Sequence, residues 1–380
     1  MAARSFCTSV TSPDGLSRVL RETRGAVTSP TGGLVFVTSP LVPHLHTLAA
    51  RVAAAWKGVP TVLVPGAGVL HERAELEGVP AASGILWSGG QVTPFALGDV
   101  EDSPRALGES IGQALGARPS TALLFHRTEG FDTSLLEGVA ATAPSACVFG
   151  AGTVGAGGVV ITAEGEERVA RAVGMSIKGL ASPIVAASPA CRLVSDLTPI
   201  DEVNAGLVLR LGGRGALDEL SRCAPGASNP GASSPLVFAA LAEPDDVTED
   251  GRPRFVIRPV RGIDPSRRGV MIGADARPGM RMAFAVRDAQ MAKADLETMA
   301  RVVSKNALGA APRFALYLSC AGRGQGLHGA PDAEVRILRQ RFGDLPIAGM
   351  HAAFEISPRE GRPSRLDLYT SVLALFRSPS

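Results

Sequence analysis

The segment Ser319-Cys320-Ala321-Gly322-Arg323-Gly324 is the part of this chain best equipped for chemistry. It follows the apolar run 314–318, which reads as a buried strand, and open α/β sheets take up ligands at the C-terminal ends of their strands. Successive amides of a small-residue turn can cradle an anion, and the Arg323 guanidinium can hold a carboxylate through two hydrogen bonds. The plain alternative is a strand-to-helix turn with a buried thiol, and the residues leave both open. Further on, Gly349 closes the apolar run 345–348, and Glu355 stands where it can accept a ligand's ammonium group. Arg323 and Glu355 together would offer a fixed cation and a fixed anion, a pair suited to a zwitterion such as an amino acid. Arg287 is either a further ligand contact or, with Asp288, an ion pair capping the helix that opens at Ala289. The candidate ligand-binding set is thus Ser319, Cys320, Gly322, Arg323, Gly349, Glu355 and Arg287. Glu72 is read as a structural group.

Nucleophilic catalysis by Cys320 would require a nearby base and a depressed thiol pKa, with His328 or His351 as the base. A buried, inert thiol is the favoured reading. No Gly-x-Ser-x-Gly hydrolase elbow occurs. The six histidines form no HExxH pattern, His44 and His46 fall on different sides of a helix, and no acidic run resembles a calcium loop. No metal site is therefore expected. No cofactor is expected either, although haem held by one axial histidine has no spacing signature and stays open. Residues 150–155 spell GxGxxG, but a strand-like run at 157–161 follows instead of a helix, so a glycine-rich turn is expected and not a dinucleotide site. With no catalytic constellation, the chain reads as a binding protein and not as an enzyme. A Cys-dependent enzyme and a haem-binding gas sensor are the alternatives.

The elements that position these residues recur. A strand at 34–37, a helix at 45–56 and a strand at 61–64 are echoed by 314–318, 331–342 and 345–348, and more faintly by 123–125, 134–143 and 147–149. Gly66 precedes Glu72 by the same interval that separates Gly349 from Glu355, which points to an ancestral duplication. The expected class is α/β, with mixed β-sheets covered by helices and two domains built from repeated strand–helix–strand units. Residues 1–20 read as a flexible N-terminus, 21–190 as one domain and 191–380 as the other, with the Pro- and Ala-rich stretch 182–199 at the boundary. Residues 223–234 read as an exposed loop.

Composition narrows the partners. At 380 residues two domains are the prior expectation. The 38 basic residues nearly balance the 36 acidic ones and form no long run, which argues against nucleic acid. Five scattered cysteines without a CxxC pair fit reduced thiols. The N-terminus lacks the apolar centre of a signal peptide, and no apolar stretch approaches the roughly 20 residues that cross a bilayer. A cytoplasmic location without membrane insertion is expected.

Several motifs occur in a fixed order: 255–258 with Gly262-Ile263-Asp264, 284–288, 317–324, 345–349, Phe354-Glu355-Ile356 and 368–372. In this order they resemble the C-terminal part of FIST domains, and residues 34–180 resemble the N-terminal part. The resemblance implies an intracellular sensory module for amino acids or related small molecules. It also implies a separate signalling protein as partner, and some members of the family bind haem. The chain departs from the family at Phe354 and His71, which stand where a glycine usually precedes the glutamate.

Overall fold

The computed structural model describes residues 2–11, 13–98, 103–116, 120–224, 236–247, 251, 253–273 and 275–378. The loop expected at 223–234 lies, from 225 onward, outside the described residues.

Strand runs such as Leu34-Val35-Phe36-Val37 are buried on both faces, so each must be covered twice, and the topology supplies both covers. The first repeat runs β1 (Ala3–Ser9), α1 (Pro13–Gly25), β2 (Gly32–Thr38), α2 (Leu45–Ala55), β3 (Thr61–Gly66), the hairpin β4 (Gly68–His71) and β5 (Ala74–Glu77), then β6 (Ala81–Trp87). The second has the same order: β7 (Gln91–Leu97), α3 (Pro104–Leu115), β8 (Thr121–Arg127), α4 (Ser134–Thr142), β9 (Cys147–Thr153), β10 (Gly158–Ile161), β11 (Glu167–Ala170) and β12 (Ala172–Lys178). The third opens with β13 (Ile184–Pro189) and is then interrupted. The interruption holds β14 (Cys191–Leu193), β15 (Thr198–Asn204), β16 (Leu207–Leu211), β17 (Arg214–Gly215), α5 (Ala216–Cys223), β18 (Val237–Ala242), β19 (Val256–Pro259), β20 (Gly262–Asp264), β21 (Gly269–Met271) and β22 (Arg281–Arg287). The third repeat then resumes with α6 (Ala289–Asn306), β23 (Pro312–Cys320), the short α7 (Gln325–His328), α8 (Ala333–Phe342), β24 (Ile347–Ala352), β25 (Glu355–Arg359), β26 (Arg362–Asp367) and β27 (Thr370–Arg377).

Each repeat centres on a parallel pair: β2 with β3, β8 with β9, and β23 with β24. Each repeat's hairpin joins another repeat's sheet. The sheets run β1-β6-β2-β3-β10-β11, β7-β12-β8-β9-β25-β26 and β13-β27-β23-β24-β4-β5. Alternate residues of all three sheets, among them Phe36, Phe125, Phe149, Phe314 and Met350, form one shared core. The opposite faces pack on helices, α1 and α2 over the first sheet, α3 and α4 over the second, α6 and α8 over the third.

The sequence expectation of mixed sheets covered by helices and built from repeated units is met. Two organisational readings differ from the structure. Residues 1–20, expected to be flexible, supply β1 and the start of α1, because Phe6, Leu16 and Leu20 are spaced to bury. The compact units are 1–188 with 293–380, and 189–292, in place of a linear division at 190 and 191. The reason is that the third repeat is split by an insertion. The inserted unit forms one nine-stranded sheet around its own core of Ile200, Val208, Leu220, Leu241, Met282 and Phe284.

The shared Gly–Glu interval finds the repeat but misses its register. The Ala67 amide donates to the His351 carbonyl, and the Ala353 amide donates to Gly152 in the corresponding place. Glu355 is therefore the counterpart of Val69, and Glu72 holds the Ser5 hydroxyl and the Ile347 amide in a structural role.

Gly150 and Gly349 face Leu124 and Tyr317 across their parallel pairs, and a Cβ on either would overlap that neighbour's carbonyl oxygen. Gly150→Ala and Gly349→Ala should each destabilise by about 1–3 kcal/mol through overpacking. Gly25→Ala, which meets open space, should stay within about 0.5 kcal/mol. Urea melts of the three variants check this.

Candidate functional site

At the C-terminal ends of β23 and β24, on the face that packs against α8, the third sheet gathers an unusual density of buried polar groups. Its centre is Glu334, at the start of α8 and 0 % exposed. The Tyr317 and Ser319 hydroxyls donate to its Oε2 at 2.9 and 2.6 Å. The Arg323 Nε donates to Oε1 at 2.8 Å, and a second guanidinium nitrogen lies 2.7 Å from the same oxygen. His328 Nε2 approaches Oε1 at 3.3 Å, while Arg323 also donates to the Ser188 carbonyl at 2.9 Å. Period-two alternation in β23 is what turns Tyr317 and Ser319 to one face.

Burial works against the ionised form of Glu334, but Arg323 and the His328 and Ser319 hydrogen bonds outweigh it and hold the carboxyl at about 2. Burial likewise opposes the Arg323 charge, and Glu334 and Tyr317 reverse it, so the guanidinium stays above its ordinary value. Arg323, expected to offer a free cation to a ligand carboxylate, is instead enclosed as the partner of Glu334.

Glu355, at the head of β25, is also fully buried, and no side chain donates a hydrogen bond to either carboxylate oxygen. Burial first, then Asp367, push its pKa well above the usual range, against the pull of Arg323 and the Thr370 amide. Cys320 closes β23 beside it. Burial, then Glu355, drive that thiol up to about 12, the opposite of what a nucleophile needs.

A second set lies alongside. Glu75 and Glu77 alternate on β5, so both project to one face. The amides of Glu334 and Val335, at the start of α8, donate to Glu75 Oε1 at 2.9 and 2.8 Å. Burial, then the charge of Glu334, raise Glu75 to about 7 even so. The Gln325 amide donates to Glu77 Oε1 at 2.9 Å. His351 on β24, 1 % exposed, turns Nε2 toward both carboxylates, 3.8 Å from Glu75 Oε2 and 3.9 Å from Glu77 Oε1. Gly68 sits between His351 and Glu77 in the strand register, and a Cβ there would stand 2.8 Å from the imidazole and 2.9 Å from the Glu77 side chain. The missing side chain is what lets the two meet.

Of the residues singled out in the sequence, Ser319, Cys320, Gly322, Arg323 and Glu355 gather at this end of the third sheet. Gly349 lies within β24, where its role is close packing against Tyr317 and Leu70. Arg287 ends β22 in the inserted unit. Asp288 caps α6 through the Gln290 and Met291 amides and pairs with Arg192. Residues 150–155 end β9 and turn into β10, as the strand-like run behind them required. Sequence reasoning missed Glu334, Glu75 and Glu77. The Glu-x-Glu alternation of β5 and an acidic residue just inside a helix were the available signals.

His44 and His46 are exposed around the start of α2. His71 Nδ1 accepts from the Ala74 amide, and His126 Nδ1 is held by the Arg127 carbonyl. His328 and His351 stand among carboxylates. Neither of the two described cavities, of 490 and 520 Å³, is lined by a histidine.

A triplicated α/β body with a buried polar cluster at one sheet end defines the class of protein. Residues 216–358 match the model of the FIST C domain. The match contains Ser319, Arg323, Glu334, His351 and Glu355 but not Glu75 or Glu77. FIST domains are associated with sensory signal transduction. Uncharacterized proteins of Mycobacterium bovis and Mycobacterium tuberculosis are each 31% identical over 208 residues, 54% of this chain and 53% of the relative. The chain thus spans about half the length of these two relatives. Another uncharacterized protein of Mycobacterium tuberculosis is 27% identical over 321 residues, 81% of each chain. Among the described residues no helix is long and apolar enough to cross a membrane.

Two outcomes follow from this geometry. Arg323→Met, which strands a buried carboxylate, should destabilise by about 3–5 kcal/mol. The folded-state pKa of Glu334 lies below its ordinary value of 4.5, at about 2, so its contribution is complete above 4.5 and is lost as pH falls toward 2. The stability gap between wild type and Glu334→Gln should therefore shrink over that window in urea melts. Separately, Cys320 in the native chain should react with a disulfide reagent at pH 8 far more slowly than in urea. Labelling at the unfolded-state rate would contradict its burial.

Proposed function

We propose that this chain is a cytoplasmic sensory protein that binds a small polar metabolite at the end of the third sheet and reports to a separate protein partner. The observation that carries this reading is Glu355. A fully buried carboxyl that no side chain hydrogen-bonds costs on the order of 1–3 kcal/mol, and such groups persist where they serve a function. An arriving ammonium group would supply both the charge and the hydrogen bonds that Glu355 lacks. The ligand class that answers it is therefore an amine-bearing metabolite, an amino acid foremost. Arg323 serves this site by fixing the Ser319–Gly324 turn through Glu334, and not by gripping the ligand.

Tyr369 supports the reading. It is half-buried in the turn before β27, and its φ of 55° is rare for a bulky residue. Its amide also faces the Cys320 sulfur. Strain of this kind gathers at ligand clamps. Catalysis is not part of the proposal, because the thiol beside Glu355 is held in its protonated form.

Thermal-shift measurements with amino acids, simple amines and carboxylates test it. Amino acids or amines should raise the melting temperature, and Glu355→Gln should abolish the rise while remaining folded. Stabilisation by none of these compounds, or stabilisation unchanged in Glu355→Gln, would overturn it.

A further inference from the structure

We propose that Glu75, Glu77 and His351 form a site for a first-row divalent cation, with zinc as its natural size and charge class. This goes beyond the ligand reading and does not rest on it. One ligand atom from each residue lies within 4.8 Å of the others. Acidic clusters alone are common, so the decisive feature is His351. It is 1 % exposed, neither ring nitrogen has a hydrogen-bond partner, and Nε2 points between the two carboxylates. At 3.8 and 3.9 Å those contacts are too long for hydrogen bonds. They suit two ligands of one ion, which at metal–ligand distances near 2.1 Å in tetrahedral geometry sit about 3.4 Å apart. Closing by roughly half an ångström completes the bonds.

The surroundings are arranged as metal sites are. The amides of Glu334 and Val335 hold Glu75 Oε1, which leaves Oε2 to face the imidazole. The Gln325 amide steadies Glu77, and such outer contacts orient ligating carboxylates. Two glycines clear the space. A Cβ at Gly68 would press on His351 and Glu77, and one at Gly324 would overlap the Glu77 carboxylate. The Glu77 side chain, 31% exposed, gives the ion an approach and leaves one coordination position for water or a solute. Two carboxylates and an imidazole favour zinc, cobalt or manganese over calcium, whose ligands are all oxygen. The ligands come from different repeats, Glu75 and Glu77 on the hairpin lent by the first and His351 on a central strand of the third. A bound ion would pin that exchange.

The full chain, stripped with EDTA and desalted, is titrated with cobalt(II), which zinc then displaces. The expected result is one cobalt per chain with visible ligand-field bands and without the near-ultraviolet bands of thiolate ligation. Glu77→Gln should weaken binding by at least about tenfold, and His351→Gln should abolish it. Glu129→Gln, whose carboxylate is 71% exposed elsewhere, should leave it unchanged. Because His351 is buried, the half-exposed Glu77 carries the test where the His351 variant fails to fold, with a melting curve to show an intact fold. No stoichiometric cobalt, thiolate bands, or equal affinity in Glu77→Gln would each overturn the site. Glu355→Gln should keep the metal, so failure of the metabolite reading and failure of this one are separable.

Discussion

A full negative charge with no access to water must be answered by its surroundings, and Glu334 imposes that condition on the third sheet. Its two oxygens receive Tyr317, Ser319, Arg323 and His328, which come from β23, from the turn after it and from α7. Satisfying the carboxylate therefore sets where β23 ends, how residues 319–324 fold back and how α8 docks. The start of α8 in turn presents the amides that hold Glu75, so the hairpin from the first repeat is tied to the same charge. Removing any one donor leaves the rest of the set around an under-compensated ion, which is why such networks act as a unit.

The same network separates what is structural from what is available. Arg323 and Glu334 neutralise each other and have no capacity left for a solute. Glu355, at the head of β25 in the second sheet, and His351, on β24 in the third, are buried with no side chain hydrogen-bonded to them. A folded chain tolerates groups of this kind only against a background stable enough to bear them, and the triple core with its helix covers provides that background.

Repetition accounts for the architecture. One order of strands and helices is used three times, and each hairpin is passed to another repeat's sheet, so no repeat is complete alone. The inserted unit enters between β13 and α6 without disturbing this exchange, because both its ends lie in the same repeat. Sites at the hairpin junctions consequently draw on two repeats.

Much of the fold was legible in the amino-acid order. Runs such as 61–64 and 314–318 are apolar without interruption, and helices such as 289–306 carry their apolar positions at helical spacing, so local periodicity suffices to place them. The loop after β23 could be marked as chemically equipped for the same local reason. The partner of Arg323 could not be read, since several carboxylates in the chain were equally eligible and only the docking of α8 chose Glu334. The meeting of His351 with Glu75 and Glu77 was further out of reach, because it depends on a hairpin leaving its own repeat and on a glycine that opens one row of the sheet. Sequence by itself determined the elements and the residue types at the sheet end. Tertiary structure decided which charges cancel and which stay unmatched, because burial and pairing distance are properties of packed strands and not of neighbours along the chain.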